Sequence, residues 1–441
     1  MIETESRNIT LRAFVGLGSS CAPAPAARTA RRVAANWYVQ YNSPVRQEAG
    51  ITNQTPRLRR WSFAVLLGLG IGFCVFIGTS NGVRAINGGR VGGDFAAFYG
   101  AGALVWAGHG AGLYDRDKQR EVQQEFLPDD PGGWLDFAYP PFVAVLFVPL
   151  ALFPFKLAFS IYTLAQVCAC VGAVQLAATV TPRVRENRVV ASAVTLSFYP
   201  LMRSVLGGQN TGFSLLCAVG LAVSLCRSRD FAAGLWAAAW LFKPQLALPV
   251  ILLGGVRRAP GFWAAVVLGG AVWYGLGALV GGLAWPVWWW REGVLRFVQT
   301  DVAFDLANGI SLREVGLRLG VGPLATALSV LCLGTAAWRC WSWKGSIVPL
   351  IATAIIAALL VSPHTLFYEA GLLVLSFWVA LDSDDKAVLT LAAITWVLAS
   401  LQVAASWVPL APAFLSLLSA TVMIWLAVSQ VSPRGMTPEL R

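Results

Sequence analysis

Asp94 is the first residue of this chain whose type and position could do chemistry. It follows two glycines in VGGDFAAFYG and opens a small-residue and aromatic segment that contains Tyr99. A positioned carboxylate can take the proton from an attacking hydroxyl group, the role that displacement at a sugar requires. The competing interpretation is structural, because an aspartate that opens a helix can accept hydrogen bonds from the free N–H groups of the first turn. The spacing alone leaves both roles open.

Lys243, in WLFKPQLALP, lies near the middle of an apolar run. A lysine at the centre of a membrane helix costs about 2.5–3.5 kcal/mol on insertion scales, so such a residue normally faces a cavity and a partner. Pro244 breaks the helix at the same point and frees backbone groups that could turn toward an anion. The alternative is that the lysine extends its side chain to the membrane surface, and it stays open.

Amide side chains accompany these positions. Gln245 lies two residues after Lys243, and Gln209 and Asn210 end the motif GGQN. Amides donate and accept hydrogen bonds, so they are suited to the hydroxyl groups of a sugar. A turn that caps a helix would use Gln209 and Asn210 equally well.

His364 is one of two histidines, and Tyr368 and Glu369 follow it at the start of an apolar helix. A solvated loop histidine is the simpler interpretation, but several polar groups at one helix end favour a site. Tyr139, in FAYPPF, is either an interface anchor or part of a loop that closes over a lipid head group. No residues have the spacing of a metal site, and we expect neither a metal nor another cofactor.

The composition indicates which environment positions these residues. The chain of 441 residues is 57% hydrophobic and 12% charged, whereas soluble proteins average about a quarter charged residues. This composition predicts an all-α polytopic membrane protein, because lipid cannot satisfy open backbone groups and no period-two alternation is present. The net charge of +11 is spread over short loops, which favours membrane topology over nucleic-acid binding.

Apolar runs follow one another from Trp61 to the C-terminus. Three arginines abut the first run, residues 61–78, so the positive-inside rule predicts a cytoplasmic N-terminus and an extracytoplasmic Asp94. Prolines interrupt the regions 138–155 and 231–256, and we interpret both as short or re-entrant segments. The other helices are predicted near residues 157–180, 190–207, 211–226, 262–283, 323–340, 347–361, 366–381, 387–405 and 409–428.

The predicted organisation has three parts. Residues 1–60 form a basic, poorly ordered cytosolic tail, residues 61–430 a single transmembrane domain, and residues 431–441 a cytosolic C-terminal tail. We expect a bundle of about 10–13 transmembrane helices with interfacial and re-entrant helices, in the inner (plasma) membrane. On this topology GGQN, the loop 284–322 and SPHTLFYE gather with Asp94 at the extracytoplasmic face.

A set of motifs occurs in a recognisable order across about residues 90–380. The motifs are GGDFAAFYGAG, GLYD, YPPF with PLALFP, GGQN, FKPQ, NGISLREVGLRLG and SPHTLFYEAGLL. Together they resemble glycosyltransferase family 87 of the GT-C superfamily. That family includes polyprenol-phosphomannose-dependent α-mannosyltransferases and related arabinofuranosyltransferases.

The resemblance implies a GT-C-like enzyme whose active site opens to the extracytoplasmic side. Its donor would be a polyprenyl-phosphate-linked sugar, expected to be mannose, and its acceptor a lipid or glycan. Asp94 would be the general base of an inverting transfer, and Lys243, with Arg203 or an arginine of the loop 284–322, would hold the leaving phosphate. The remaining substrate-binding residues would be Tyr99, Tyr139, Gln209, Asn210, Gln245, His364 and Glu369.

Two features keep alternatives open. The last motif of the family often reads SPY with a following D-Y-D, whereas this chain has SPHTLFYE, so the role of His364 and the identity of the acceptor stay open. Broken helices and a midplane lysine are also features of transporters, so a flippase for a lipid-linked sugar is the main alternative. A non-catalytic scaffold of the cell envelope is a third.

Overall fold

The computed structural model describes residues 55–80, 91–128, 134–255, 258–300, 306–343, 345–407 and 410–429. Within these ranges the chain is helical, and the sole pairing of β type is a bridge between Gly309 and Leu366. The all-α prediction is confirmed. The C-terminal tail, and all but the end of the N-terminal one, lie outside the described residues. In chain order the helices are α1 Thr55–Gly78, α2 Phe95–Trp106, α3 Arg116–Phe126, α4 Pro141–Ala151, α5 Phe155–Ala177, α6 Pro182–Glu186, α7 Arg188–Ser197, α8 Tyr199–Leu206, α9 Thr211–Cys226, α10 Asp230–Ala239, α11 Pro244–Gly255, α12 Pro260–Gly281, α13 Trp285–Trp288, α14 Arg296–Thr300, α15 Leu312–Arg318, α16 Gly322–Ser342, α17 Ile347–Val361, α18 Val374–Leu381, α19 Lys386–Ser400 and α20 Pro412–Ser429.

Six of the described helices are long and apolar enough to cross a membrane: α1, α5, α12, α16, α20, and α19 with the turn that follows it. A seventh span is possible if the bent pair α7 and α8 counts as one. The other apolar helices are shorter, between 10 and 17 residues, so the expected 10–13 spans are reached only if several of these also cross. The chain is a multi-pass membrane protein, and α1 and α12 expose most of their apolar surface, as lipid-facing helices do.

Three local features differ from the sequence prediction. The first helix begins at Thr55, so it includes the arginines that were assigned to the tail. The helix expected over 190–207 is bent by 70° between α7 and α8, because Pro200 in the first turn of α8 cannot continue the preceding helix. The loop expected over 284–322 contains α13, α14 and α15 as well as a π-helical segment, Trp289–Leu295.

The two interrupted regions are confirmed as breaks. The segment 138–155 contains only the short helix α4, and the run 231–256 is divided at Lys243 between a 3-10 turn, Trp240–Phe242, and α11. Pro244 is the first residue of α11, where its missing N–H group costs no hydrogen bond. Both breaks lie beside the cavity described below, as expected for irregular backbone at membrane depth.

The buried residues form two clusters. The larger one is built mainly from α5, α7 to α11 and α17 to α20, and the smaller one from α2, α4, the start of α5 and nearby aromatic side chains. Phe242 packs against both clusters, so Lys243 follows the residue where they meet. Nine of the twelve residues of α2 are buried, and the helix packs against α3 and α4.

Candidate active site

A cavity of about 800 Å³ lies at this junction. One part of its wall is polar and another is formed by apolar and aromatic side chains from α11 and the π-helical region. Of the ten residues predicted for the site, seven line it: Asp94, Tyr139, Gln209, Lys243, Gln245, His364 and Glu369. The fold therefore brings together, around one cavity, predicted residues that are far apart in the sequence.

Asp94 is held at the start of α2 by the GGQN loop. Its backbone N–H donates to the carbonyl oxygen of Gly207 at 2.8 Å, and the side-chain amide of Gln209 donates to its carboxylate. The carboxylate accepts no hydrogen bond from the first turn of α2, so the capping role is not observed. Asp94 instead lines the cavity.

Glycines allow this close approach of two loops. Gly93 has φ +44° and Gly208 φ +73°, values that favour glycine. A Cβ atom on Gly93 would lie 2.5 Å from the carbonyl oxygen of Gly207, and one on Gly208 would overlap the backbone of Gly92. The pairs of glycines that precede Asp94 and Gln209 therefore place these two side chains next to each other.

Tyr139 orients the amide of Gln209. Its hydroxyl group donates to Gln209 Oε1 at 3.3 Å, which leaves Gln209 Nε2 directed at Asp94. Burial raises the pKa of the Tyr139 hydroxyl above its usual 10.0, so it stays a donor at neutral pH. The backbone of Tyr139 is fixed in turn, since its carbonyl oxygen accepts from the Tyr114 hydroxyl at 2.7 Å.

Two glutamines that the sequence analysis missed hold the segment 134–137, which forms one wall of the cavity. Gln119 accepts from the N–H of Phe137 at 2.8 Å, and Gln123 both accepts from Leu135 N–H at 2.9 Å and donates to its carbonyl at 2.7 Å. Both glutamines are buried. Their spacing of four residues puts them on one face of α3, and that spacing in a polar helix was the available signal.

Lys243 is buried and paired. Its ammonium group donates to Asn210 Oδ1 at 2.7 Å and to the carboxylate of Glu369, and Lys243 is 3% exposed. It also lies 5.8 Å from the ring centre of Tyr139 and 5.9 Å from that of Tyr368. Extension to the membrane surface is therefore not observed. A phosphate that approaches Lys243 meets a charge that Glu369 already balances.

The other amides occupy different positions. Asn210 is at the N-cap position of α9 but makes no side-chain capping bond, because its oxygen accepts from Lys243. Asn210 is buried behind the wall and does not line the cavity. Gln245, in the first turn of α11, lines the cavity directly.

His364 is paired with Glu314, a residue the sequence analysis did not select. His364 Nδ1 lies 2.6 Å from Glu314 Oε1, and the Glu314 side chain is 1% exposed. His364 itself lines the cavity with 22% of its side chain exposed. The simpler interpretation, a solvated loop histidine, does not describe a ring held by a buried carboxylate.

Two predicted residues lie elsewhere. Tyr99 is buried inside the smaller cluster, where its hydroxyl donates to the carbonyl oxygen of Phe153 at 2.9 Å, and it does not line the cavity. Arg203 is exposed on α8 and also lies outside the cavity wall. Arg313, from the loop region 284–322, does line it and donates to the carbonyl oxygen of Pro363 at 3.0 Å.

Arg313 differs from the other cations of the wall in its charge environment. Arg116 is paired with Asp136 at 2.9 Å and Lys243 with Glu369, whereas Arg313 has no carboxylate partner among the described residues. In the same ranges no group of three or more histidine, cysteine or acidic side chains could hold a metal ion. Because Arg313 has no carboxylate partner in these ranges, a bound anion would meet an uncompensated positive charge there.

Comparisons with known proteins identify one family and one relative. The model of glycosyltransferase family 87 matches residues 137–363. The chain is 30% identical to the polyprenol-phosphate-mannose-dependent alpha-(1-2)-phosphatidylinositol pentamannoside mannosyltransferase of Mycolicibacterium smegmatis. The 295 aligned residues make up 57% of this chain and 67% of that protein. No solved structure matches the chain.

Proposed function

Since the chain belongs to glycosyltransferase family 87, we propose that it transfers mannose from a polyprenyl-phosphate donor to a hydroxyl group of a lipid or glycan acceptor. Asp94 is the general base, and the configuration of the sugar is inverted. The observation that carries this proposal is the carboxylate of Asp94 at the cavity wall, oriented by Gln209 and Tyr139. The name of the relative, a polyprenol-phosphate-mannose-dependent enzyme, supports the donor class.

The reaction is a single displacement. The acceptor oxygen attacks the anomeric carbon of the donor sugar, and its proton passes to the Asp94 carboxylate. The bond between the anomeric carbon and the phosphate oxygen breaks, and its electron pair leaves with the polyprenyl monophosphate. A base held in place typically contributes a factor of about 10²–10⁴ to such a step.

The wall of the cavity supports a lipid-linked donor. Its polar part carries Asp94 and Gln209, while Leu248, Trp290 and Val294 belong to an apolar part that could accompany an isoprenoid chain. Leu248 and Trp290 are exposed, so this part of the wall reaches the surface of the protein. A substrate with a polar head and an apolar chain matches both parts.

The leaving phosphate is assigned to Arg313, with Lys243 in a supporting role. Arg313 offers a guanidinium group that no carboxylate of the described residues neutralises, and a guanidinium can bind phosphate through two parallel hydrogen bonds. Lys243 is buried and already bound to Glu369 and Asn210, so its role is to hold these two residues and not to contact the phosphate directly.

The charge distribution supports an extracytoplasmic site. Arg57, Arg59 and Arg60 lie in the first turns of α1, which supports a cytoplasmic N-terminus by the positive-inside rule. The start of α2 then faces the extracytoplasmic side of the plasma membrane, together with the cavity. The acceptor would be met there by the polyprenyl-linked sugar.

The proposal is tested with purified full-length protein and two donors, polyprenyl-phosphate mannose and polyprenyl-phosphate arabinofuranose, with a lipid extract as acceptor. We expect consumption of the mannose donor and a new glycosidic product, and a loss of about 10²-fold or more for Asp94→Asn. Asp117→Asn is the matched control, because Asp117 is exposed on α3 and does not line the cavity.

Three outcomes would overturn the proposal in different ways. Equal activity of Asp94→Asn and wild type would refute the assignment of the base. Use of the arabinofuranose donor alone would refute the sugar. Movement of a lipid-linked sugar across the membrane of proteoliposomes, without any glycosidic product, would favour a flippase function.

A further inference from the structure

Glu314 is the most heavily hydrogen-bonded buried carboxylate beside the cavity. Its Oε2 atom accepts from Ser311 N–H at 3.2 Å, from Ser311 Oγ at 2.9 Å and from Thr365 N–H at 3.1 Å. Its Oε1 atom lies 2.6 Å from His364 Nδ1. The first contact belongs to a capping box at the start of α15 and the second joins the same two residues, but the last two reach a segment about fifty residues away.

The two segments are also joined through their backbones. Ile310 N–H donates to the carbonyl oxygen of Thr365 at 2.9 Å, and Phe367 N–H to that of Asn308 at 2.9 Å. These two bonds flank the bridge between Gly309 and Leu366, and His364, which lines the cavity, directly precedes the paired residues. The ring is further confined by Phe297, whose centroid lies 5.4 Å away in an edge-on arrangement.

The three donors on Oε2 determine which proton His364 carries. A carboxylate that accepts from three donors on one oxygen is an acceptor on the other, so the hydrogen between Glu314 and His364 belongs to Nδ1. When the ring carries a single hydrogen, its lone pair is therefore on Nε2. That atom has no hydrogen-bond partner among the described residues, and it is not fully enclosed.

We propose that Glu314 is a positioning residue that fixes the Nδ1-protonated form of His364, so that Nε2 accepts a hydrogen bond from a hydroxyl group of the bound substrate. The proposal rests on the proposed glycosyl transfer and adds a recognition contact to it. The hydroxyl belongs either to the sugar of the donor or to the acceptor, and the two sources share the same chemistry.

Glu314→Gln is the decisive variant because it replaces one carboxylate oxygen by an NH₂ donor and keeps the size and shape of the side chain. The amide oxygen must occupy the Oε2 position, where three donors converge, so its NH₂ group faces His364 Nδ1. The ring must then carry its hydrogen on Nε2, and the lone pair that accepts from the substrate is lost. A role limited to capping α15 would leave the form of the ring unchanged.

The histidine form can be measured directly, since the chain has two histidines. Nitrogen-15 NMR of histidine-labelled full-length protein in lipid nanodiscs reports which ring nitrogen bears the hydrogen. His109→Ala assigns the two signals, because His109 is exposed in a loop and outside the cavity. We expect Nδ1–H for His364 in the wild type and Nε2–H in Glu314→Gln.

Kinetics supply the second measurement. We expect Glu314→Gln to raise KM about tenfold for the donor or for the acceptor, whichever bears the contacted hydroxyl, with a smaller change of kcat. His364→Ala should show the same rise, and the double variant should be no worse than His364→Ala alone.

An Nε2–H form in the wild type would overturn the proposal, and so would additive effects in the double variant. The wild-type spectrum decides the first point even if Glu314→Gln fails to fold. Failure of the proposed glycosyl transfer is distinguishable, because it would leave the wild type without product whatever form the histidine takes.

Discussion

The ammonium group of Lys243 and the carboxylate of Glu369 form an ion pair in the interior of the helix bundle, each residue about 3% exposed. The pair joins the break before α11 to the turn before α18, two elements that are distant in the sequence. A buried charge is costly unless it is paired, and each of these two groups is the ion-pair partner of the other.

Removing one partner should therefore cost more than removing both. We expect Lys243→Met or Glu369→Gln alone to destabilise the protein by about 3–5 kcal/mol, and the double variant to recover part of that loss. Thermal unfolding in detergent, followed by tryptophan fluorescence, measures the order of the three variants. A double variant as unstable as the sum of the single ones would show that the two charges act independently.

The contact between Gln209 and Asp94 should control the pH dependence of the reaction. Gln209→Glu places a second carboxylate against Asp94, and like charges raise the pKa of such a pair. Since the base works in its ionised form, the acid limb of the kcat/KM profile should move up by at least about one pH unit. Gln209→Ala is the comparison, because it removes the amide without adding charge and should lower the rate with less displacement of that limb.

Arg313 and Arg203 are the two candidates for binding the phosphate of the donor. Arg313 lines the cavity, whereas Arg203 is exposed on α8 outside it. We expect Arg313→Ala to raise KM for the polyprenyl-phosphate donor about 10- to 100-fold, since it loses a charge-assisted contact, and Arg203→Ala to leave it unchanged. Initial rates over a range of donor concentrations decide between them. The reverse order would return the phosphate to Arg203.

Asp382, between α18 and α19, should make stability depend on pH. Burial raises the pKa of its carboxyl from 3.8 to about 6, and nearby Arg183 offsets this only in part. Its folded-state pKa is raised, so its contribution to stability is complete below the unfolded pKa and is lost as the pH rises through about 6.

Asp382→Asn removes this dependence. Because Asp382 is half-exposed, we expect the variant to be more stable than the wild type by no more than about 1 kcal/mol at neutral pH, and equal to it near pH 4. Melting temperatures between these pH values measure the difference, with Asp117→Asn as control. Parallel curves for Asp382→Asn and wild type would contradict the assignment.

The hydrophobic pattern predicted the helices well because lipid leaves a chain few alternatives. The apolar runs after residue 155 coincide with helices to within a few residues, and the break at Lys243 was readable from Pro244. The motifs also pointed to Asp94, Gln209 and His364, which line the same cavity in the structure.

Side-chain partners were not readable in the same way. Glu369 pairs with Lys243 across 126 positions, and no local pattern specifies which buried acid meets a buried base. The sequence of Ser311 and Glu314 has the spacing of a capping box, but it does not show that the same carboxylate also binds His364. The family resemblance suggested Tyr99 and Arg203, but packing directs one inward and the other to the surface.

The wall formed by residues 134–137 is tied to α3 by Gln119 and Gln123 through main-chain atoms. Because these bonds use main-chain atoms, the backbone position of Trp134 and Leu135 at the cavity does not depend on their side chains, whereas Asp136 is also paired with Arg116. Trp134 and Leu135 are therefore two adjacent positions at which the chemistry of the cavity wall can be varied on a fixed backbone. Libraries confined to these two positions would change the shape and polarity of the wall while the contact between Gln209 and Asp94 stays in place.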